Sequence, residues 1–186
     1  MTKNSKARIF TALPLIFLGV VGRIALSSLP NIEIVTLVVL LGGLLLGGYW
    51  AVIVPITVMA LSDIWIGNNV IFLFTWSGFA LLGASTLFMR KKLEPRYSIR
   101  FLSTFTGFGV IGVLLYDVWT AFGWWLLFYP HTTTALLHVA LLQVPFTLKH
   151  LTSALLTLPT GACVYVWLQR TICRVENRCA LPNAIE

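Results

Sequence analysis

The chain has 186 residues, 58% hydrophobic and 10% charged, with a mean hydropathy of +0.90 and a formal net charge of +7. Too few polar side chains remain to cover a water-soluble domain of this size, which excludes an ordinary soluble protein. The positive charge does not point to nucleic acid, because the basic residues stand between hydrophobic runs.

The composition predicts an all-α polytopic membrane protein, with residues 1–186 forming a single membrane domain. At about 20 residues per crossing, hydropathy and charge place six spans near 9–29, 33–48, 50–67, 70–89, 101–128 and 148–168. Lys3, Lys6 and Arg8 precede the first span. Arg90, Lys91, Lys92, Arg96 and Arg100 fill the link between the fourth and fifth, and Arg170, Arg174 and Arg178 follow the sixth. Eleven of the thirteen basic residues thus share one face, and the positive-inside rule makes that face, and both termini, cytoplasmic in a multi-pass protein of the cell membrane. Arg23 and Lys149 lie toward the other side.

The first span begins as a signal peptide does, but it is long for one and ends in Ser27-Ser28-Leu29-Pro30 without a small-x-small cleavage site, so a retained helix is expected. Its Gly19, Gly22 and Ala25 present small residues that let helix backbones approach closely in lipid. Arg23 stands near the outer end of this helix, where it either snorkels to the headgroups or faces inward to an ion pair or a ligand. The second span closes on Gly42-Gly43-Leu44-Leu45-Leu46-Gly47-Gly48, in which Gly43 and Gly47 form a G-x-x-x-G pair ahead of a tight turn at Tyr49-Trp50.

The third span carries Pro55 and runs into Ser62-Asp63-Ile64-Trp65-Ile66-Gly67-Asn68-Asn69. An ionisable group at membrane depth costs roughly 3 kcal/mol on insertion scales, so Asp63 is expected to face a protein interior, a partner or a water-filled cavity. The fourth span descends through Thr75, Trp76, Ser77 and Gly78 to the basic link, and the fifth rises to Tyr116-Asp117-Val118-Trp119, a second acid at similar depth. Residues 131–146, between Pro130 and Pro145, are largely apolar but short for a crossing. Counting them as a span would also put the last arginines outside, so a re-entrant or interfacial helix between the fifth and sixth spans is expected, roofing the outer mouth of the bundle.

Arg23, Asn31, Asp63, Asn68, Asn69, Tyr116, Asp117, Trp119, His131, His138, Gln143, Lys149 and His150 all fall in the outer third or the outer loops, and the inner half is almost free of such groups. That one-sided distribution fits an outward-facing small-molecule pocket, whereas a proton or ion pathway would place ionisable groups through the full depth. Arg23, Asn31, Asp63, Trp65, Asn68, Asp117 and Trp119 are the candidate ligand-binding residues. No catalytic residues, metal ligands or cofactor are assigned: the histidines lack ligand spacing, and no serine or cysteine stands beside a base in a recognisable motif. Cys163, Cys173 and Cys179 are an odd count, and the span map puts the last two at the cytoplasmic face, where disulfides are rare and free thiols are expected.

Arg23 with Pro30-Asn31, Val54-Pro55 leading to Ser62-Asp63-Ile64-Trp65-Ile66-Gly67, Asp117-Val118-Trp119-Thr120-Ala121-Phe122-Gly123-Trp124-Trp125, Tyr129-Pro130-His131-Thr132 and Val144-Pro145-Phe146-Thr147 carry a resemblance across most of residues 20–155. In these motifs the chain resembles the substrate-binding S components of energy-coupling factor (ECF) transporters, and within them a poorly characterised six-helix subgroup. The resemblance implies a six-helix bundle that binds a vitamin or similar micronutrient from outside. It also implies docking on a transmembrane coupling subunit served by cytoplasmic ATPases, since no Walker motif is present here. The alanine-x-x-x-alanine docking face of many S components is absent from the first helix, where Gly19, Gly22 and Ala25 stand instead. Two other roles remain open from the residues: a structural subunit of a larger membrane complex, and a small membrane enzyme using Asp63 and Asp117 as acid and base.

Overall fold

A computed structural model describes residues 3–29, 32, 34–67 and 69–176, with side chains over the same set from 8 to 171. All its regular structure is helical: α1 (Lys3–Ala25), α2 (Val35–Leu45), α3 (Trp50–Ile66), α4 (Phe72–Lys92), α5 (Ile99–Phe128) and α6 (Thr133–Glu176). No strand occurs among the described residues. Arg8–Ala25, Phe72–Lys92, Ile99–Phe128 and Thr133–Thr171 are long and apolar enough to cross a membrane, whereas α2 and α3 are shorter apolar helices.

The bundle is built around α2. It touches all five other helices, and every residue from Val35 to Leu44 is buried, as expected of a helix that is apolar all round. At 11 residues it is about 16 Å long, roughly half the hydrocarbon thickness of a bilayer. Close approach to α2 and between its neighbours depends on glycine. Gly43 leaves room for Thr86 of α4, Gly161 of α6 for Leu37, and Gly83 of α4 lies so near the Ala51 carbonyl of α3 that a methyl group there would overlap it. Of the G-x-x-x-G pair, Gly43 therefore packs. Gly47 instead makes the turn into α3, with Gly48, at φ of 63° and 57°, a left-handed conformation that side chains disfavour.

Successive helices run in opposite directions. Arg90 of α4 packs against Gly47 of the α2–α3 turn, and the Arg170 guanidinium of α6 sits 4.4 Å from the centre of the Tyr97 ring ahead of α5. These contacts gather the basic link and the last helix at one end of the bundle. The side chains of Arg23, Asp63, Asp117 and His150 gather at the other.

The largest departure from expectation is α6. The interfacial segment at 131–146 and the span at 148–168 are one continuous 44-residue helix that contains Pro145 and Pro159, about 66 Å long at 1.5 Å per residue. It starts where Thr132 Oγ1 accepts from the Ala135 amide at 3.2 Å, an N-cap bond. Each proline removes one backbone bond, but breaking the helix at Pro145 would strand several more amides and carbonyls in an apolar environment. α5, 30 residues long, lies antiparallel to α6 over most of its own length, as the Asp117–His150, Gly109–Leu158 and Phe101–Tyr165 contacts show.

Candidate functional site

Asp63 lies on the last turn of α3 and is 9% exposed. Its Oδ1 accepts from Arg23 Nη1 of α1 in a salt bridge, and its Oδ2 accepts from Trp76 Nε1 of α4 at 2.7 Å. Arg23 Nη1 also donates to Ser62 Oγ at 2.6 Å, and that hydroxyl sits 2.7 Å from the Val58 carbonyl one turn back. One carboxylate thus ties three helices together. It also holds the guanidinium at a fixed place, since the Arg23 side chain is only 22% exposed.

Asp117 of α5 is 2% exposed. His150 Nδ1 of α6 donates to its Oδ1 at 2.9 Å, and the His150 ring meets the Tyr116 ring edge-on at 5.8 Å. The second oxygen of Asp117, Oδ2, is buried and has no hydrogen-bond partner among the described residues.

A cavity of about 220 Å³ opens between these two ion-paired clusters. Arg23 and Ser27 line it from α1 and its C-terminal turn, Val35 from the first turn of α2, Phe79 from α4, Tyr116 from α5 and His150 from α6. Val35, in the first turn of α2, lines the cavity, so the positive end of that helix borders the same space as the guanidinium. Of the Arg23 donors, only Nη1 is engaged among the described residues. The arrangement suits a small ligand with an acceptor or anionic group and an apolar body to rest on Phe79, Ile66 and Leu29.

Of the candidate residues, Arg23 lines this cavity, Asp63 supports Arg23 from behind, and Asp117 supports His150. Trp65 is elsewhere, 77% exposed on the outer face of α3. Trp119 donates to Ser77 Oγ at 3.0 Å and borders a separate apolar groove between α4 and α5. Asn31 and Asn68 lie outside the described residues, as does Cys179, and of Cys173 only the backbone is described. Ser62, Trp76, Tyr116 and His150 were not among the candidates. Tyr116 and His150 had the right depth in the sequence, and Ser62 its place beside Asp63. Among the described residues no cluster of His, Cys, Asp and Glu could hold a metal ion.

Fold and site together define an all-helical bundle with four helices long and apolar enough to cross a membrane and a cavity lined by Arg23 and His150 at the end away from the basic link between α4 and α5. The chain belongs to DUF6580, a family of unknown function, whose model matches residues 3–176. No curated protein and no solved structure matches it.

Proposed function

We propose that this chain is the substrate-binding membrane subunit of an uptake transporter, capturing a small anionic or carboxylate-bearing molecule, vitamin-like or micronutrient-like, from outside the cell. In this reading all six helices lie in the cell membrane, α2 as a buried half-length crossing, and both termini are cytoplasmic. The observation that carries it is the cavity of about 220 Å³ lined by Arg23 and His150 beside the first turn of α2. Its volume is below the roughly 300–1,000 Å³ of drug-sized sites, which favours a compact ligand. Gathering of the basic link between α4 and α5 and of Arg170 at the opposite end supports the orientation.

Energy for transport comes, in this reading, from partners: a coupling subunit and cytoplasmic ATPases like those served by the S components it resembles. Gly19 and Gly22 pack inward on Val58, Val38 and Ile34, so docking on such a subunit falls to the opposite face of α1, where Phe10, Leu13 and Phe17 are exposed.

The test is native mass spectrometry of the chain purified in mild detergent. A co-purifying small molecule that is lost in Arg23→Gln and in Asp63→Ala, and retained in Trp65→Ala, is the expected result. The tie that Asp63 makes among α1, α3 and α4 favours a second reading, a structural subunit of a larger membrane complex. An empty protein recovered only inside a stable assembly would select that reading.

A further inference from the structure

A second cavity, of about 430 Å³, lies between the C-terminal half of α5 and the first half of α6. Leu114, Phe122 and Val139 typify its walls, and Asp117, Gln143 and Thr147 are its polar lining. No residue lines both this cavity and the one beside Arg23. The two spaces meet at one ion pair, with His150 facing the first and Asp117 facing the second.

The chemistry of the second space is set by what Asp117 lacks. Its Oδ1 is committed to His150, while Oδ2 is buried without a donor on a residue that is 2% exposed. Buried carboxylate oxygens in folded proteins are almost always satisfied, and apart from Gln143 and Thr147 the cavity lined by Asp117 is aliphatic and aromatic. Across the cavity, Gln143 Nε2 reaches only Thr147 among the described residues, at a long 3.5 Å, so its amide also has bonding capacity to spare. The outer surfaces flanking the cavity are apolar and exposed, as at Val118, Leu141 and Leu148, so access is lateral, from the lipid phase.

We propose that this cavity binds an apolar, membrane-borne molecule with a single hydrogen-bond-donating head, a hydroxyl or a primary amine, that donates to Asp117 Oδ2. The site is separate from the proposed capture of a small anionic ligand beside Arg23 and stands without it.

The test uses the full chain in phosphatidylcholine nanodiscs and a long-chain alcohol bearing a diazirine. Photolabelling is expected to map to the α5 and α6 segments that line the cavity. Dodecanol or dodecylamine should displace the label at least about tenfold better than dodecyl methyl ether, which has the chain and no donor. Displacement by the amine with the alcohol no better than the ether assigns a cationic head, and the reverse assigns a hydroxyl head. Asp117→Val should abolish the advantage over the ether. Because that variant also removes the partner of His150, Ala140→Trp serves beside it: it fills the cavity from the α6 wall without touching the pair and should abolish labelling in a protein of unchanged unfolding midpoint. Equal displacement by alcohol, amine and ether, or label spread evenly over the lipid-facing helices, would overturn the proposal.

Discussion

Removing the Asp63 carboxylate should release the end of the bundle that holds the Arg23 cavity. Asp63 accepts one bond from a guanidinium and one from an indole, and hydrogen bonds to charged groups contribute about 1.5–3 kcal/mol net. Breaking one side of a buried ion pair costs about 3–5 kcal/mol. Arg23 keeps Ser62 and, at 22% side-chain exposure, some access to solvent, which places Asp63→Leu near the lower end, about 3 kcal/mol. Arg23→Met should cost a similar amount, because it takes the guanidinium counter-charge from a buried carboxylate. The double variant Arg23→Met/Asp63→Leu should cost less than the two together by a coupling of about 1–3 kcal/mol, since an apolar pair of similar volume leaves no buried charge behind. Equilibrium unfolding in mixed micelles with increasing dodecyl sulfate, followed by circular dichroism, measures all four corners of the cycle. Additivity within about 0.5 kcal/mol would refute the claim that this pair ties α1 to α3.

Other expectations follow from close approaches and from α6. Gly83→Ala should destabilise by about 1–3 kcal/mol in the same unfolding assay, because its methyl group meets the Ala51 carbonyl, a backbone atom that cannot step aside. Gly107→Ala, with nothing within 4 Å of the added carbon, should be neutral or stabilise by up to about 1 kcal/mol through helix propensity. Loss in both or neither would contradict the α3–α4 packing. Trp76→Phe should weaken the support of Asp63 by about 1 kcal/mol while leaving the apolar contacts of the ring in place; an unchanged unfolding midpoint would remove Trp76 from the cluster. Hydrogen exchange in micelles should find the amides on both sides of Pro145 protected as parts of one helix. Rapid exchange confined to residues around 141–149 would restore two separate segments.

Much of the site was legible without coordinates because depth in a membrane is written along the chain. Distance from the basic clusters put Asp63, Asp117 and Arg23 at one level, where the structure also gathers them. Partners were not legible. Nothing in the spacing says that Asp63 meets Arg23 and Trp76 while Asp117 meets His150, because pairing depends on the angle at which each side chain leaves its helix. In a soluble helix that angle shows as an apolar stripe, but here the lipid-facing and protein-facing sides are equally apolar, so no stripe marks the inside. For the same reason Trp65, one turn from the cavity in sequence, was a candidate and proved to face outward.

The sequence by itself determined the all-helical class, the positions of the apolar runs, and the concentration of most basic residues in the terminal segments and one link, since each depends only on local composition and spacing. Tertiary structure alone decided that a short second helix is the hub, that Pro145 lies within a helix rather than at its end, and that Asp63 and Asp117 support the wall of one cavity while Asp117 also lines a second. These follow from which helices touch, and contact between surfaces as apolar as the lipid around them is settled by the fit of glycines and side chains in three dimensions.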